Sequence, residues 1–228
     1  MNKKVFKIIG LGLIVGLLVL LVQIVFKLNN EVVMSYYIKI SVIVLFLVLV
    51  VNSLYFIYMT RKMKNYLTLF YEEKYDEYID VMEKFLQKAR GNALKNIIKI
   101  NLSAGYIELK DYEKGKELLE TLEIHKIKDE QLRLVQWNNL CVAYFHLGEY
   151  DKFKEIYSKQ ENLFERNKDN VNFAKAIAEL KVLYLIIEGD FIKAKDLLSE
   201  IREKWDNEKY KAEYDKIENI INENLKEK

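Results

Sequence analysis

Residues 137–157 read WNNLCVAYFHLGEYDKFKEIY, and the spacing of their apolar side chains indicates how the chain folds. These side chains recur at steps of three and four on either side of Gly148, which predicts two amphipathic helices joined by a short turn. Similar turns precede Tyr75, Tyr112 and Phe191. A repeated helix-turn-helix predicts an all-α chain whose helix pairs stack, because one pair cannot bury its own apolar face.

The aromatic residue after each turn marks a repeat with intervals of 37, 38 and 41 residues. These markers are Tyr75, Tyr112, Tyr150 and Phe191. Positions three and seven residues after a marker, and six before it, are expected to interlock each helix pair with its neighbour. The residues at these positions are Tyr78, Gly115, Phe153 and Ala194; Met82, Leu119, Tyr157 and Leu198; and Leu69, Tyr106, Tyr144 and Leu185.

The best-formed repeat resembles the signature of the tetratricopeptide repeat family. The matching residues are Trp137, Leu140, Tyr144, Gly148, Glu149, Tyr150 and Tyr157. The second half of the signature recurs in two other repeats, at Asp111, Tyr112 and Gly115, and at Gly189, Asp190, Phe191 and Ala194. The resemblance implies an α-solenoid of about four helix pairs over residues 61–207, with pairs near 61–90, 91–127, 128–167 and 170–206.

The chain departs from the family pattern in three ways. Phe153 stands where the family has alanine, the closing proline is missing throughout, and the period exceeds the usual length of about 34 residues. These departures favour longer helices and irregular curvature. A generic α-solenoid outside the family therefore stays open as an alternative.

A last amphipathic segment, 208–228, carries an apolar stripe opposite a face rich in lysine and glutamate. The stripe contains Tyr210, Tyr214, Ile217, Ile221 and Leu225. A solenoid needs a terminal helix with a polar outer face, so the segment is predicted to be a C-terminal capping helix. The alternative is a helix that binds a partner.

Two apolar runs near the start, about 5–26 and 36–59, predict an N-terminal transmembrane helical hairpin within an anchor spanning 1–60. Each run is long enough to cross a hydrocarbon core of about 30 Å, and a polar break at 27–31 separates them. A cleaved signal peptide is the alternative for the first run, but no small-residue cleavage pattern follows it.

Basic residues flank the two runs and predict the topology. The first 64 residues carry eight basic residues against the single acidic residue Glu31, and most of these lie at the two outer ends. The positive-inside rule then places both termini and the repeats in the cytoplasm, on a multi-pass cell-membrane anchor. The inverted topology is the alternative.

Gly12 and Gly16 match the small-xxx-small pattern of helix contacts in membranes. The pattern predicts close packing of the first span, either against the second span or against another copy of the chain. Oligomerisation through Gly12 and Gly16 is therefore possible.

No catalytic or metal-binding spacing occurs in the sequence: there is no glycine-rich phosphate loop, HExxH, GxSxG or paired-cysteine pattern. The single cysteine, Cys141, falls on an apolar helix face and is predicted to be a small buried residue. His125 and His146 lie in different repeats without acidic clusters of ligand spacing. We expect no enzymatic activity, no cofactor and no metal.

The charge distribution also bears on the class of partner. After residue 64 acidic residues outnumber basic ones, and no basic stripe is present. This balance argues against nucleic acid as a partner.

In the resembled family, partners bind in a concave groove lined by the first helix of each pair. The corresponding residues here are Tyr71, Asn101, Glu108, Asn138, Asn139, Phe145, His146 and Glu179. The resemblance implies that the asparagine amides hydrogen-bond a peptide backbone and that Phe145 is an apolar anchor. The alternative is that these residues are ordinary solvated side chains or contacts of the capping helix.

These features predict a membrane-anchored cytoplasmic scaffold or adaptor that binds a protein or peptide of unknown identity. The alternative is a structural or assembly subunit of a larger membrane complex, with the transmembrane hairpin as its main interface. The basic clamp that grips a C-terminal carboxylate in some family members is not reproduced, so such a tail is not the expected ligand.

Overall fold

The computed structural model describes residues 3–26, 29–122, 127–205 and 208–226, and within them the chain forms ten helices and no strand. The predicted all-α class is therefore confirmed. The helices are α1 (Lys3–Phe26), α2 (Asn30–Tyr71), α3 (Tyr75–Lys88), α4 (Asn92–Glu108), α5 (Tyr112–Glu120), α6 (Glu130–His146), α7 (Tyr150–Asn167), α8 (Ala174–Ile187), α9 (Phe191–Lys204) and α10 (Glu208–Lys226). The backbone separates into two compact units, Met1–Tyr58 and Met59–Lys228.

The first unit contains α1 and the first part of α2. Among the described residues, one helix, α2, is long and apolar enough to cross a membrane, and the described apolar part of α1, Ile14–Phe26, is shorter. Residues 27 and 28 of the predicted polar break lie outside the described residues. After them, the Asn29 side chain accepts a hydrogen bond of 2.9 Å from the Glu31 N–H, which caps the start of α2.

The second unit repeats one backbone turn at four places. In each turn one residue has a left-handed φ of 60–76°, and the N–H of the next residue donates to the carbonyl five residues earlier at 2.9 Å. The left-handed residues are Glu73, Lys110, Gly148 and Gly189. This combination of a left-handed residue and a hydrogen bond is the Schellman motif at the C-terminus of a helix. It ends α2, α4, α6 and α8 the same number of residues before each marker residue.

Two of these turns use glycine, which adopts a left-handed φ at little cost. Glu73 and Lys110 hold a Cβ in the same region, which costs roughly 1–2 kcal/mol each. The helices that follow begin with aspartate caps in two cases, because the side chains of Asp111 and Asp190 accept from backbone N–H groups three residues on. The turn geometry therefore follows from local residues.

Helices α3 to α10 pack against each other in sequence order, and α6 also packs against both α4 and α8. The positions three and seven residues after each marker are buried throughout. One buried cluster joins α4 to α8, and a second joins α8, α9 and α10 through Val182, Leu198 and Tyr214. The core thus runs along the unit between neighbouring helices.

A tyrosine–glutamate hydrogen bond recurs between helices of successive repeats. The Tyr144 hydroxyl donates to Glu120 Oε1 at 2.7 Å, and the Tyr106 hydroxyl donates to Glu83. Each tyrosine stands six residues before a marker, and each glutamate eight residues after the previous one. At the next junction the tyrosine position holds Leu185, and the rings of Tyr157 and Tyr184 stack instead with centroids 4.3 Å apart.

Candidate partner-binding groove

A cavity of about 340 Å³ opens between α4, α6, α8 and α10 in the second unit. Five of the predicted groove residues line it: Glu108, Asn138, Asn139, His146 and Glu179. They meet because α6 packs beside both α4 and α8, so that the same faces of three separate helices point to one space. We call this cavity and its lining the groove.

Three predicted groove residues lie elsewhere. Tyr71, at the end of α2, is 77% exposed and does not line the groove, and the Asn101 side-chain amide donates to the Ile97 carbonyl of its own helix at 2.8 Å. Phe145 is a core residue, 9% exposed, whose ring packs against Tyr150 and Phe153. The prediction of an exposed apolar anchor at Phe145 is therefore corrected, because the turn of the helix directs this ring into the core.

Two asparagines of α6 supply amide groups to the groove. The Asn139 side chain donates to Ser103 Oγ of α4 at 3.4 Å, which ties the two helices together. Asn138 Oδ1 is buried and has no hydrogen-bond donor among the described residues. A buried carbonyl oxygen without a donor is costly, so Asn138 offers an acceptor that a ligand N–H could satisfy.

One wall of the groove is aromatic. The His146 ring stacks on Tyr112 with centroids 4.2 Å apart and planes 8° from parallel. Burial, together with the charges of Lys110 and Lys216, lowers the pKa of His146 below its ordinary value near 6.5. The imidazole is therefore neutral at pH 7, and the wall presents a flat uncharged surface.

Another wall of the groove comes from α10, for which the sequence predicts a capping helix, with a partner-binding helix as the alternative. Tyr210, Glu213, Tyr214 and Ile217 of this helix line the groove. The Tyr214 hydroxyl donates to Glu179 Oε1 of α8 at 2.5 Å. The four-residue spacing of Tyr210 and Tyr214 predicts that they share one face of α10. Nothing in the neighbouring sequence indicates which helix this face contacts.

Three carboxylates from separate helices line the groove: Glu108 on α4, Glu179 on α8 and Glu213 on α10. Desolvation by the surrounding helices raises the pKa of Glu213, and the charges of Glu179 and Glu108 raise it further, although part of the side chain is exposed to solvent. The raised pKa of Glu213 therefore reflects desolvation first and the neighbouring carboxylates second, and the charges of Lys110 and Lys175 oppose it.

Gln136 on α6 is fully buried, with both polar atoms of its amide unpartnered among the described residues. The same place in neighbouring repeats, fourteen residues before the marker, holds the buried residues Ile98 and Ile177. Replacing Gln136 with methionine should raise the free energy of unfolding by about 1–3 kcal/mol, because it removes an unsatisfied amide at nearly constant volume. Urea unfolding of the full chain in detergent, followed by tryptophan fluorescence, measures this change.

The control is Gln131→Met at an exposed position of the same helix, where the expected change is within about 0.5 kcal/mol. Destabilisation by Gln136→Met would contradict the prediction, since it would show that the buried amide makes a hydrogen bond in the folded chain.

Groups capable of redox or metal chemistry are sparse in the described part of the chain. Cys141 is fully buried, and burial raises the pKa of its thiol far above the ordinary value. The described residues contain no group of three histidine, cysteine or acidic side chains that could hold a metal ion, and His125 lies outside them. No protein-family model, curated protein or solved structure significantly matches this chain.

Proposed function

We propose that the chain is a membrane-anchored cytoplasmic scaffold that recruits a protein or peptide through the groove. The observation that carries this proposal is the convergence of polar residues from α4, α6 and α8 on one cavity. Asn138 and Asn139 supply hydrogen-bonding amides, and the stacked Tyr112 and His146 rings supply an apolar surface. The proposed function is binding.

The repeat architecture supports a binding role. Two features favour a tetratricopeptide-like solenoid of about four helix pairs closed by α10. The four turns have the same geometry, and the first helices of successive pairs, α4, α6 and α8, pack side by side. In such an array each pair contacts only its neighbours, and the row of first helices forms an extended binding surface. The acidic surface after residue 64 favours a protein partner over nucleic acid.

The first unit is proposed to be a two-span membrane hairpin with both ends in the cytoplasm. The long apolar helix α2 and the basic residues on the outer flanks of the two spans support this topology. Protease added to intact cells should leave the repeat region intact, and protease added to inside-out membrane vesicles should degrade it. Cleavage in intact cells would reverse the assigned orientation.

Affinity purification in a mild detergent, followed by mass spectrometry, tests the scaffold. The full chain should recover a specific protein, and the double variant Asn138→Ala/Asn139→Ala should lose most of it, because both groove amides are removed. The matched control is Glu155→Ala/Lys159→Ala, which removes an exposed ion pair on α7. Equal recovery by the groove variant and the control would reject the groove as the binding surface.

A second function, as a subunit of a larger membrane complex, is favoured by the surroundings of Gly12 and Gly16. A Cβ built at either glycine would meet no atom within 4 Å, and both glycines line a cavity of about 760 Å³ with Leu20 of α1 and Met34 of α2. Close helix packing at glycine needs a neighbour, so this room suits a helix from another chain.

Replacing Gly12 and Gly16 with isoleucine tests this second function. Isoleucine fills the space that a neighbouring helix would need, so a complex assembled through these glycines should dissociate on blue-native gels. The control places isoleucine at Leu18 and Leu21, two exposed leucines of the same helix that do not line this cavity. An unchanged complex in the glycine variant would exclude this interface.

A further inference from the structure

We propose that the groove recognises a positively charged side chain, best an arginine, carried by the bound peptide. This inference rests on the proposed function, because it names the chemistry of the partner at the same groove. Its physical basis is the set of hydrogen-bond acceptors and flat rings that line the cavity between α4, α6, α8 and α10.

Carboxylates outnumber ammonium groups in the lining of the groove. The carboxylates of Glu108, Glu179 and Glu213 come from helices far apart in the sequence, and a carboxylate in its ionised form only accepts hydrogen bonds. Two ammonium groups, on Lys110 and Lys175, also line the cavity. Three carboxylates and two ammonium groups give the lining an excess of negative side chains.

Asn138 gives an independent reason to expect a hydrogen-bond donor on the ligand. Its Oδ1 is buried without any hydrogen-bond donor among the described residues, although the residue lines the groove. A ligand that brings N–H groups satisfies this oxygen, whereas a carboxylate or phosphate adds a further acceptor. The Asn138 amide and the acidic residues thus select the same ligand chemistry.

The chain already places one of its own ammonium groups in this environment. Lys175 Nζ lies 3.1 Å from Glu179 Oε1 and 3.1 Å from the centroid of the Tyr210 ring. A cation held between a carboxylate and an aromatic face is stabilised by both the charge and the ring quadrupole. Lys175 is therefore a geometric precedent for a cation placed between a carboxylate and a ring in this groove.

Glu213 is the acidic residue best suited to a second cation. It forms no ion pair among the described residues, and its side chain is exposed to solvent. Desolvation is the main cause of its raised pKa, the charges of Glu179 and Glu108 add repulsion, and Lys110 and Lys175 partly offset it. A cation at Glu213 would relieve that repulsion. Arginine suits the site better than lysine, since its planar guanidinium carries five donors and stacks on rings such as Tyr112 and His146.

Oriented peptide libraries test the inference on the full chain in a non-ionic detergent, which adds no charged surface of its own. The probes are fluorescein-labelled nonapeptides with random flanks and a fixed central arginine, lysine, citrulline or norleucine, and binding is followed by fluorescence anisotropy. Citrulline keeps the shape of arginine and removes its charge. The arginine library should bind about fivefold more tightly than the citrulline library.

The variant Glu213→Gln should reduce that preference to less than about twofold, since it removes the carboxylate and keeps the side-chain shape. The control Glu223→Gln changes an exposed carboxylate of the same helix that does not line the groove, and it should keep the full preference. Far-ultraviolet circular dichroism of both variants verifies that α10 is folded.

The outcomes separate this inference from the proposed function. Equal binding of the arginine and citrulline libraries, with both weakened by Asn138→Ala/Asn139→Ala, would overturn the cation preference and leave peptide binding intact. An arginine preference that persists in Glu213→Gln would also overturn the inference, because a residue other than Glu213 would then recognise the charge. Failure of every library to bind would count against both proposals.

Discussion

Replacing Phe153 with alanine should lower the free energy of unfolding by about 3–5 kcal/mol. Phe153 is fully buried, and its ring lies 6.0 Å from Tyr157 and 6.4 Å from Phe145 between centroids. Removing the ring loses its burial and leaves a cavity that neighbouring helices can only partly fill. The result would be notable because alanine is the residue that the tetratricopeptide pattern has at this place.

Tryptophan fluorescence during urea unfolding is a suitable measurement. Both tryptophans of the chain, Trp137 and Trp205, lie in the second unit, so the signal reports on that unit without a contribution from the apolar helices before it. Ile192→Ala is the control, since Ile192 is 66% exposed on α9 and should change the stability by about 0.5 kcal/mol or less. A loss below about 1 kcal/mol for Phe153→Ala would mean that the helices close over the vacated volume.

The second unit should lose stability steeply as the pH rises above about 10. Five buried tyrosines have pKa values raised above the ordinary value of 10, chiefly by burial: Tyr78, Tyr106, Tyr144, Tyr157 and Tyr214. A group with a raised folded-state pKa contributes its full stability below the unfolded-state pKa. That contribution is lost as the pH rises from the unfolded-state pKa to the folded-state pKa.

The size of this stability loss depends on the number of tyrosine protons that are released on unfolding. In the unfolded chain each phenol ionises near pH 10, and in the folded chain these five stay protonated, so each lowers the stability by up to about 1.4 kcal/mol per pH unit. Unfolding should therefore coincide with a cooperative rise in tyrosinate absorbance. Tyr157→Phe keeps the ring and removes one ionisable group, and it should make the dependence on pH shallower by about one proton.

Gradual ionisation of all tyrosines near pH 10, with unchanged tryptophan fluorescence, would contradict this prediction. Such a result would mean that water reaches the phenols without unfolding. The acidic partners Glu83, Glu120 and Glu179 make this outcome unfavourable, since each accepts a hydrogen bond from a neutral phenol and would repel a phenolate.

Much of the architecture is predictable because it depends on residues close together in the chain. The turn residues and the three- and four-residue spacing predict helices and their ends, and the positions three and seven residues after each marker are all buried. Asp111 and Asp190 cap the helices that they precede. Each of these features is decided within one or two helical turns, by backbone hydrogen bonds and helix periodicity.

The groove was predictable in part. The resemblance to the tetratricopeptide repeat family implies five groove residues that all line the cavity: Glu108, Asn138, Asn139, His146 and Glu179. Phe145 occupies an equivalent stretch of α6 but turns into the core against Phe153. Its direction depends on how α6 and α7 pack, which the spacing of apolar residues along one helix does not specify.

Residues far apart in the chain meet only through packing, and they explain what the sequence did not reveal. Tyr214 donates to Glu179 across 35 residues, and Glu213 of the same helix lies beside acidic residues of α4 and α8. Local periodicity predicted that α10 has an apolar stripe and a polar face. The position of that stripe against α8 and α9 arises from burial of Tyr214 and Ile221 between helices, and this long-range packing creates the acidic wall of the groove.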